Sequence, residues 1–110
     1  MNKELLRGIL DIILLAILSN KDMYGYEIAK KIKVLSNDCL SIGEETLYPA
    51  LKRLEKNSYV LSYWLSADNN LVKRKYYNIT EKGIMILNDK INDWQCINKL
   101  IHSCLKEGNI

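Results

Sequence analysis

The sequence is poor in the groups from which catalytic and metal sites are built. Its one histidine, His102, has no second His or Cys at ligand spacing, so no metal is expected. Cys39, Cys96 and Cys104 form no CxxC pair and are odd in number, which argues against a disulfide framework and a zinc site and for reduced thiols in the cytoplasm. There is no glycine-rich phosphate loop and no Ser-His-Asp or Cys-His arrangement at a recognisable spacing, so neither an enzyme nor a cofactor is expected. Long apolar runs are lacking too. The stretch Ile12 to Leu18 is too short to span a bilayer, and Asn20-Lys21-Asp22 follows it where a signal peptide would need small residues, so no membrane partner is expected. Proline occurs once and glycine five times.

What is present describes an ordinary globular chain. With 110 residues, 48% of them apolar and 26% charged, it can bury one core but not two. The net charge of +3 is a mild excess of base that gains meaning from its position. Residues 44 to 75 carry six Lys or Arg against four acids, whereas residues 80 to 110 carry four of each.

The pivotal stretch is Gly43 to Asn57, which has a helical period with two unlike faces. Leu47, Ala50, Leu51 and Leu54 make an apolar stripe, leaving Thr46, Tyr48, Lys52, Arg53 and Lys56 outward. Those are donors to phosphates and base edges, so the helix is expected to face DNA; a basic solvated face is the plainer alternative. Gly43 serves as N-cap, Glu44 and Glu45 suit the first turn, and Pro49 is expected to bend the helix or make one turn irregular.

Before it, a helix from about Lys3 to Leu18 is apolar nearly all round and is expected to be central. Asp22 is expected to cap a second helix running through Tyr26, Ile28, Ala29, Ile32 and Leu35, with Lys30, Lys31 and Lys33 outward. Ser36-Asn37-Asp38 reads as a turn and Leu40 to Ile42 as a very short strand. After it, Tyr59 to Leu65 and Val72 to Ile79 are rich in β-branched and aromatic residues, and Ala67 to Asn70 makes a polar turn. An antiparallel hairpin with Lys73, Arg74 and Lys75 on its returning strand follows from that pattern. Thr80 caps a last helix reaching about Lys106, with Gly108 placed to end it. Ile84, Leu87, Ile91, Trp94, Asn98, Ile101 and Leu105 alternate at three and four residues, the pattern of a dimer seam with Asn98 as its register-fixing polar member. Packing of that stripe on the chain's own helices is the alternative.

The expected fold is therefore mainly α with a small β-hairpin: a winged helix-turn-helix over residues 1–79 and a long C-terminal dimerisation helix over 80–110. Double-stranded DNA and a second copy of the chain are the expected partners, with Thr46, Tyr48, Lys52, Arg53, Lys73, Arg74 and Lys75 on the DNA side. A winged-helix module that holds a protein partner instead shares the same fold.

Four stretches also resemble the PadR family of transcriptional regulators: Leu6-Arg7-Gly8, Tyr24-Gly25-Tyr26-Glu27-Ile28, Thr46-Leu47-Tyr48-Pro49 with Leu51 and Arg53-Leu54-Glu55, and Arg74-Lys75-Tyr76-Tyr77 before Thr80-Glu81-Lys82-Gly83. The short length and Trp94 in a lone last helix resemble the family's small branch, which implies a repressor with a multidrug-type ligand pore at the dimer interface. Glu45 stands where that family has a small residue, and Ser58 where a glycine ends the third helix, with Asn57 able to supply the left-handed cap. The resemblance implies a slot beside helix one, lined by Leu5, Ile12, Ile91, Trp94, Asn98 and Ile101. Asp11, awkward in an apolar helix, is expected to pair with Arg7 or to face that slot and favour planar cationic aromatics.

Overall fold

In a computed structural model that describes residues 2–66 and 72–107, the elements run α1 (Lys3–Leu18), β1 (Met23–Tyr24), α2 (Gly25–Leu35), α3 (Glu44–Lys56), β2 (Val60–Ser66), β3 (Lys73–Ile79) and α4 (Glu81–Glu107). The expected turn over Ala67 to Asn70 and the stop at Gly108 lie outside the described residues.

The core forms where aliphatic stripes of four helices and one strand converge. Leu10, Leu14, Leu15 and Leu18 of α1 meet Ile28 and Ile32 of α2, Leu47, Ala50, Leu51 and Leu54 of α3, Val60 of β2 and Leu87 of α4. Each large side chain removed from water there contributes roughly 1.5–3 kcal/mol before its ordering cost. Only the C-terminal half of α1 is central, because Leu5 and Gly8 remain exposed. The stripe on α2 is also narrower than its period suggests, since Tyr26 and Leu35 face outward.

The short strand is not at Leu40 to Ile42, which pairs with nothing among the described residues. It is Met23–Tyr24, which joins β3 and makes a three-stranded sheet of order β1-β3-β2. Asp22 accordingly does not cap α2. Its carboxylate accepts from the Tyr63 hydroxyl and from Asn78 Nδ2 at 2.8 Å, tying the hairpin to the end of α1, while Tyr24 takes the N-cap place and its N–H donates to Glu27 Oε1 at 3.3 Å. A two-residue strand is too short to announce itself by alternation; its partner makes it a strand.

Helix α3 begins at Gly43 as expected and runs unbroken through Pro49, whose missing N–H falls on the exposed face where water can satisfy the Glu45 carbonyl. Its end is a Schellman turn: Tyr59 N–H donates to the Leu54 carbonyl at 2.9 Å and Ser58 N–H to Glu55 at 2.9 Å. The left-handed residue is Ser58, at φ 64°, and Asn57 stays at φ −86°. Thr80 then caps α4, its Oγ accepting from Gly83 N at 3.0 Å and donating to the Ser58 carbonyl at 2.7 Å.

Helix α4 is about 40 Å long at 1.5 Å per residue, and only its first half finds a home. Leu87 is 6% exposed and Ile91 packs against the core, whereas Trp94, Ile97, Ile101 and Leu105 are about half exposed or more. The radius of gyration, 16.3 Å, exceeds the ~13 Å of a compact chain of this length because that second half projects.

Two glycine-related outcomes test this packing in urea unfolding. Ser58→Gly should stabilise by about 1 kcal/mol, since only glycine adopts the left-handed region without strain. Gly83→Ala should destabilise by about 1–3 kcal/mol, because a Cβ there would overlap the Tyr59 carbonyl oxygen, a backbone atom that cannot rotate away.

Candidate nucleic-acid interface

The outward side of α3 and the hairpin enclose an open cleft of 760 Å³. Tyr48 and Lys52 come from α3, Tyr24 from β1, Gly25 and Tyr26 from the start of α2, Trp64 from β2, and Lys73, Arg74, Lys75 and Tyr77 from β3. Strand alternation places Trp64 opposite Lys75 and Ser66 opposite Lys73, on the side that looks towards α3. Arg74 alternates to the other face of the strand but still lines the cleft, its guanidinium 4.7 Å from the centre of the Tyr24 ring. Lys75 Nζ is 3.7 Å from Glu55 Oε1, and Ser62 donates to the same carboxylate. Glu55 thus joins α3 to the hairpin and partly neutralises Lys75, so Lys52, Lys73 and Arg74 are the cations of this cleft without a carboxylate partner among the described residues.

Five of the seven residues expected to face DNA are therefore brought together: Tyr48, Lys52, Lys73, Arg74 and Lys75. Thr46 and Arg53 are not among them. They line a separate 420 Å³ cleft between α3 and α1, together with Glu45 and Arg7. Arg53 Nη2 lies 2.7 Å from Asp11 Oδ1, so Asp11 is paired across two helices and not with Arg7. Helical spacing could not foresee this, because the partner stands 42 residues away. The tyrosines of the α2 entrance were missed as interface residues; the alternation of Tyr24 and Tyr26 around Gly25, with Arg74 later in the chain, was the available signal.

Aromatic contacts run across the sheet: Tyr24 meets Tyr76 edge to face at 5.4 Å and Tyr76 stacks on Tyr63 at 5.8 Å. The Asp22 hydrogen bond foremost, then desolvation and the Asp22 charge, push the Tyr63 phenol up to about 12. Burial, followed by Glu55 and Tyr48, raises the Tyr77 phenol above its ordinary value.

A second groove, of 440 Å³, lies between the exposed half of α1 and the projecting part of α4. Leu5, Ile12, Trp94, Asn98 and Ile101 line it as expected, with Ile97. Ile91 and Asp11 do not: Ile91 is spent on the core and Asp11 on Arg53. The carboxylates at this groove are instead Glu4 and Asp93, beside Lys90. Of the expected seam, Leu87 and Ile91 serve the chain's own core, while Ile84, Trp94, Asn98, Ile101 and Leu105 remain exposed.

Two helices joined by a turn, followed by a two-stranded hairpin that shares a basic cleft with the second of them, define a winged helix-turn-helix regulator. Residues 14–89 match the transcriptional regulator PadR-like family. A transcriptional regulator from Clostridium thermocellum is 39% identical, with a TM-score of 0.84 over 92% of this chain and 97% of that one. A PadR family transcription regulator from Clostridium difficile is also 39% identical, with a TM-score of 0.76 over 89% and 99% of the two chains. An uncharacterised protein of Lysinibacillus sphaericus is 37% identical over 98 residues, 89% of each chain. The chain belongs to the PadR-like family, whose members are DNA-binding transcriptional regulators and not enzymes. Among the described residues no helix is long and apolar enough to cross a membrane.

The Tyr63 clamp has a pH signature. Its phenol pKa is raised on folding, so its contribution is complete below the ordinary value of 10.0 and is lost as pH climbs through about 12. Phenolate absorbance should show a late-titrating tyrosine in the native protein, and Tyr63→Phe should delete the component near 12.

Proposed function

We propose that the protein is a homodimeric, cytoplasmic repressor that holds a pseudo-palindromic operator and releases it when a planar aromatic molecule enters the groove between α1 and α4. Residues 1–79 act as the DNA-reading unit and 80–110 as the dimerising helix. The observation that carries the reading is the cationic, tyrosine-lined cleft between α3 and the hairpin. Tyr48 and Lys52 address bases, while Lys73, Arg74 and Lys75 address phosphates. Thr46 and Arg53 approach DNA from the α1 side, and Arg53 does so with its charge shared by Asp11. The uncovered apolar half of α4 supports dimerisation, and a two-fold pair of such chains would offer two α3 helices to major-groove segments about one helical turn apart.

Replacing Lys73 by Ala should weaken binding to all duplexes alike and lower the salt slope by about 0.9 for the lost phosphate contact, in band shifts over a range of salt. Lys75→Ala should cost less, because Glu55 already holds that ammonium. A triple Lys73, Arg74, Lys75 variant that bound as tightly as the parent would make the hairpin structural. It would also favour the alternative of a protein-interaction module, for which the exposed Leu61 and Leu65 of β2 are the available surface.

Ile101→Lys should give monomers in analytical ultracentrifugation and abolish specific DNA binding while leaving the chain folded, since Ile101 is 52% exposed and carries no part of the core.

The groove supports a planar lipophilic cation as effector: Trp94 gives a stacking face, Asn98 an amide, and Glu4 and Asp93, in place of Asp11, the negative charge. Repression is relieved if the ligand favours the arrangement that cannot hold DNA. In a Trp64→Phe background, planar cationic dyes should quench Trp94 emission, and Trp94→Ala should weaken their binding by at least about 1 kcal/mol. Asp93→Asn should narrow the preference for cationic over neutral analogues; an unchanged preference would move the charge recognition elsewhere.

A further inference from the structure

Gly25 is the first residue of α2, buried, and free of any backbone need for glycine: no glycine among the described residues has a positive φ. Glycine is a poorer helix former than alanine, so a side chain there should help α2 unless space forbids it. Space does forbid it. A Cβ at Gly25 would overlap the Tyr48 hydroxyl and come within 2.7 Å of Cζ and 2.8 Å of Cε1 of the same ring. These three nearest obstacles all belong to the far end of one side chain of α3.

Tyr48 and Tyr77 of β3 line the same cleft. The Tyr48 ring thus meets the entrance of α2 at the cleft shared by α2, α3 and the hairpin. It remains 43% exposed, so the ring is both packed and available.

We propose that Gly25 is a positioning residue for sequence recognition: its missing side chain leaves the space in which the Tyr48 phenol lies, and that placement sets how Tyr48 is presented to DNA. The proposal rests on the DNA reading above. Gly25 and Gly83 differ in what a methyl group would meet. At Gly83 the obstacle is the Tyr59 carbonyl and the backbone must shift, whereas at Gly25 it is the far end of a phenol that a change of χ1 carries away. Gly25→Ala should therefore keep the fold and swing Tyr48 away, with Lys52, Lys73 and Arg74 left in place. Specific binding falls and non-specific binding stays.

The test uses the full chain and duplexes that the wild type enriches from a random library, with a scrambled duplex as reference. Gly25→Ala should lower the ratio of selected to scrambled affinity by about tenfold, with the salt slope on scrambled DNA unchanged. In a Tyr48→Ala background the same substitution should cost nothing further, because its target is gone. Equal losses on both duplexes, or an equal loss in both backgrounds, would overturn the proposal and assign Gly25 to α2 itself. If Gly25→Ala alone fails to fold, the double variant decides: recovery of the fold identifies Tyr48 as the obstacle, and continued failure rules it out. Ring signals of Tyr48 in tyrosine-labelled NMR spectra, assigned with Tyr48→Phe, should shift in Gly25→Ala without any DNA. Unmoved signals sink the positioning role alone, whereas a wild type that enriches no sequence sinks the recognition on which it rests.

Discussion

The burial of one half-helix governs this structure. Leu14, Leu15 and Leu18 of α1 are almost wholly removed from water, and α2, α3, β2 and the first half of α4 each bring an aliphatic stripe to them. Among the described residues no charged side chain is buried and Tyr77 brings the one hydroxyl, so the core is almost wholly without directional bonds. Aliphatic packing fixes which elements meet, through shape and volume, and it keeps every cation of the chain at the surface.

Orientation is set by polar ties around that core. Asp11 and Arg53 join α1 to α3, Asp22 joins the end of α1 to Tyr63 and Asn78, and Glu55 joins α3 to Ser62 and Lys75. Exposed pairs of this kind are worth at most about 1 kcal/mol each, so their consequence is geometric more than energetic. They hold the hairpin against α3 and keep the cleft open between Tyr48, Lys52 and Lys73. They also divide the cations into those already paired and those without a carboxylate partner, which is the distinction that matters for a phosphate backbone.

Helix α4 has two duties in succession. Up to Ile91 it completes the core, and from Trp94 onward its large apolar residues are left about half exposed or more. The groove it shares with α1 is bounded by that transition. A proposed dimer would use the same uncovered residues as the proposed ligand, which is the physical basis on which ligand binding and subunit arrangement could be linked.

Much of this was legible in the residue order. Helical period located α1, α3 and α4 within a residue or two, β-branched and aromatic runs located the hairpin, and Thr80 marked the start of the last helix, because local propensities and caps depend on near neighbours. The PadR-like family was legible for the same reason, in four short motifs whose spacing is a property of the chain itself. Partners across the fold were not. That Asp11 answers Arg53, that Asp22 holds Tyr63, that Leu87 belongs to the core, that Met23 and Tyr24 form a strand, and that Gly25 makes room for Tyr48 were decided by packing. Each joins residues some 20 or more positions apart or depends on which face of a helix its neighbours leave open, and one-dimensional periodicity carries no record of either.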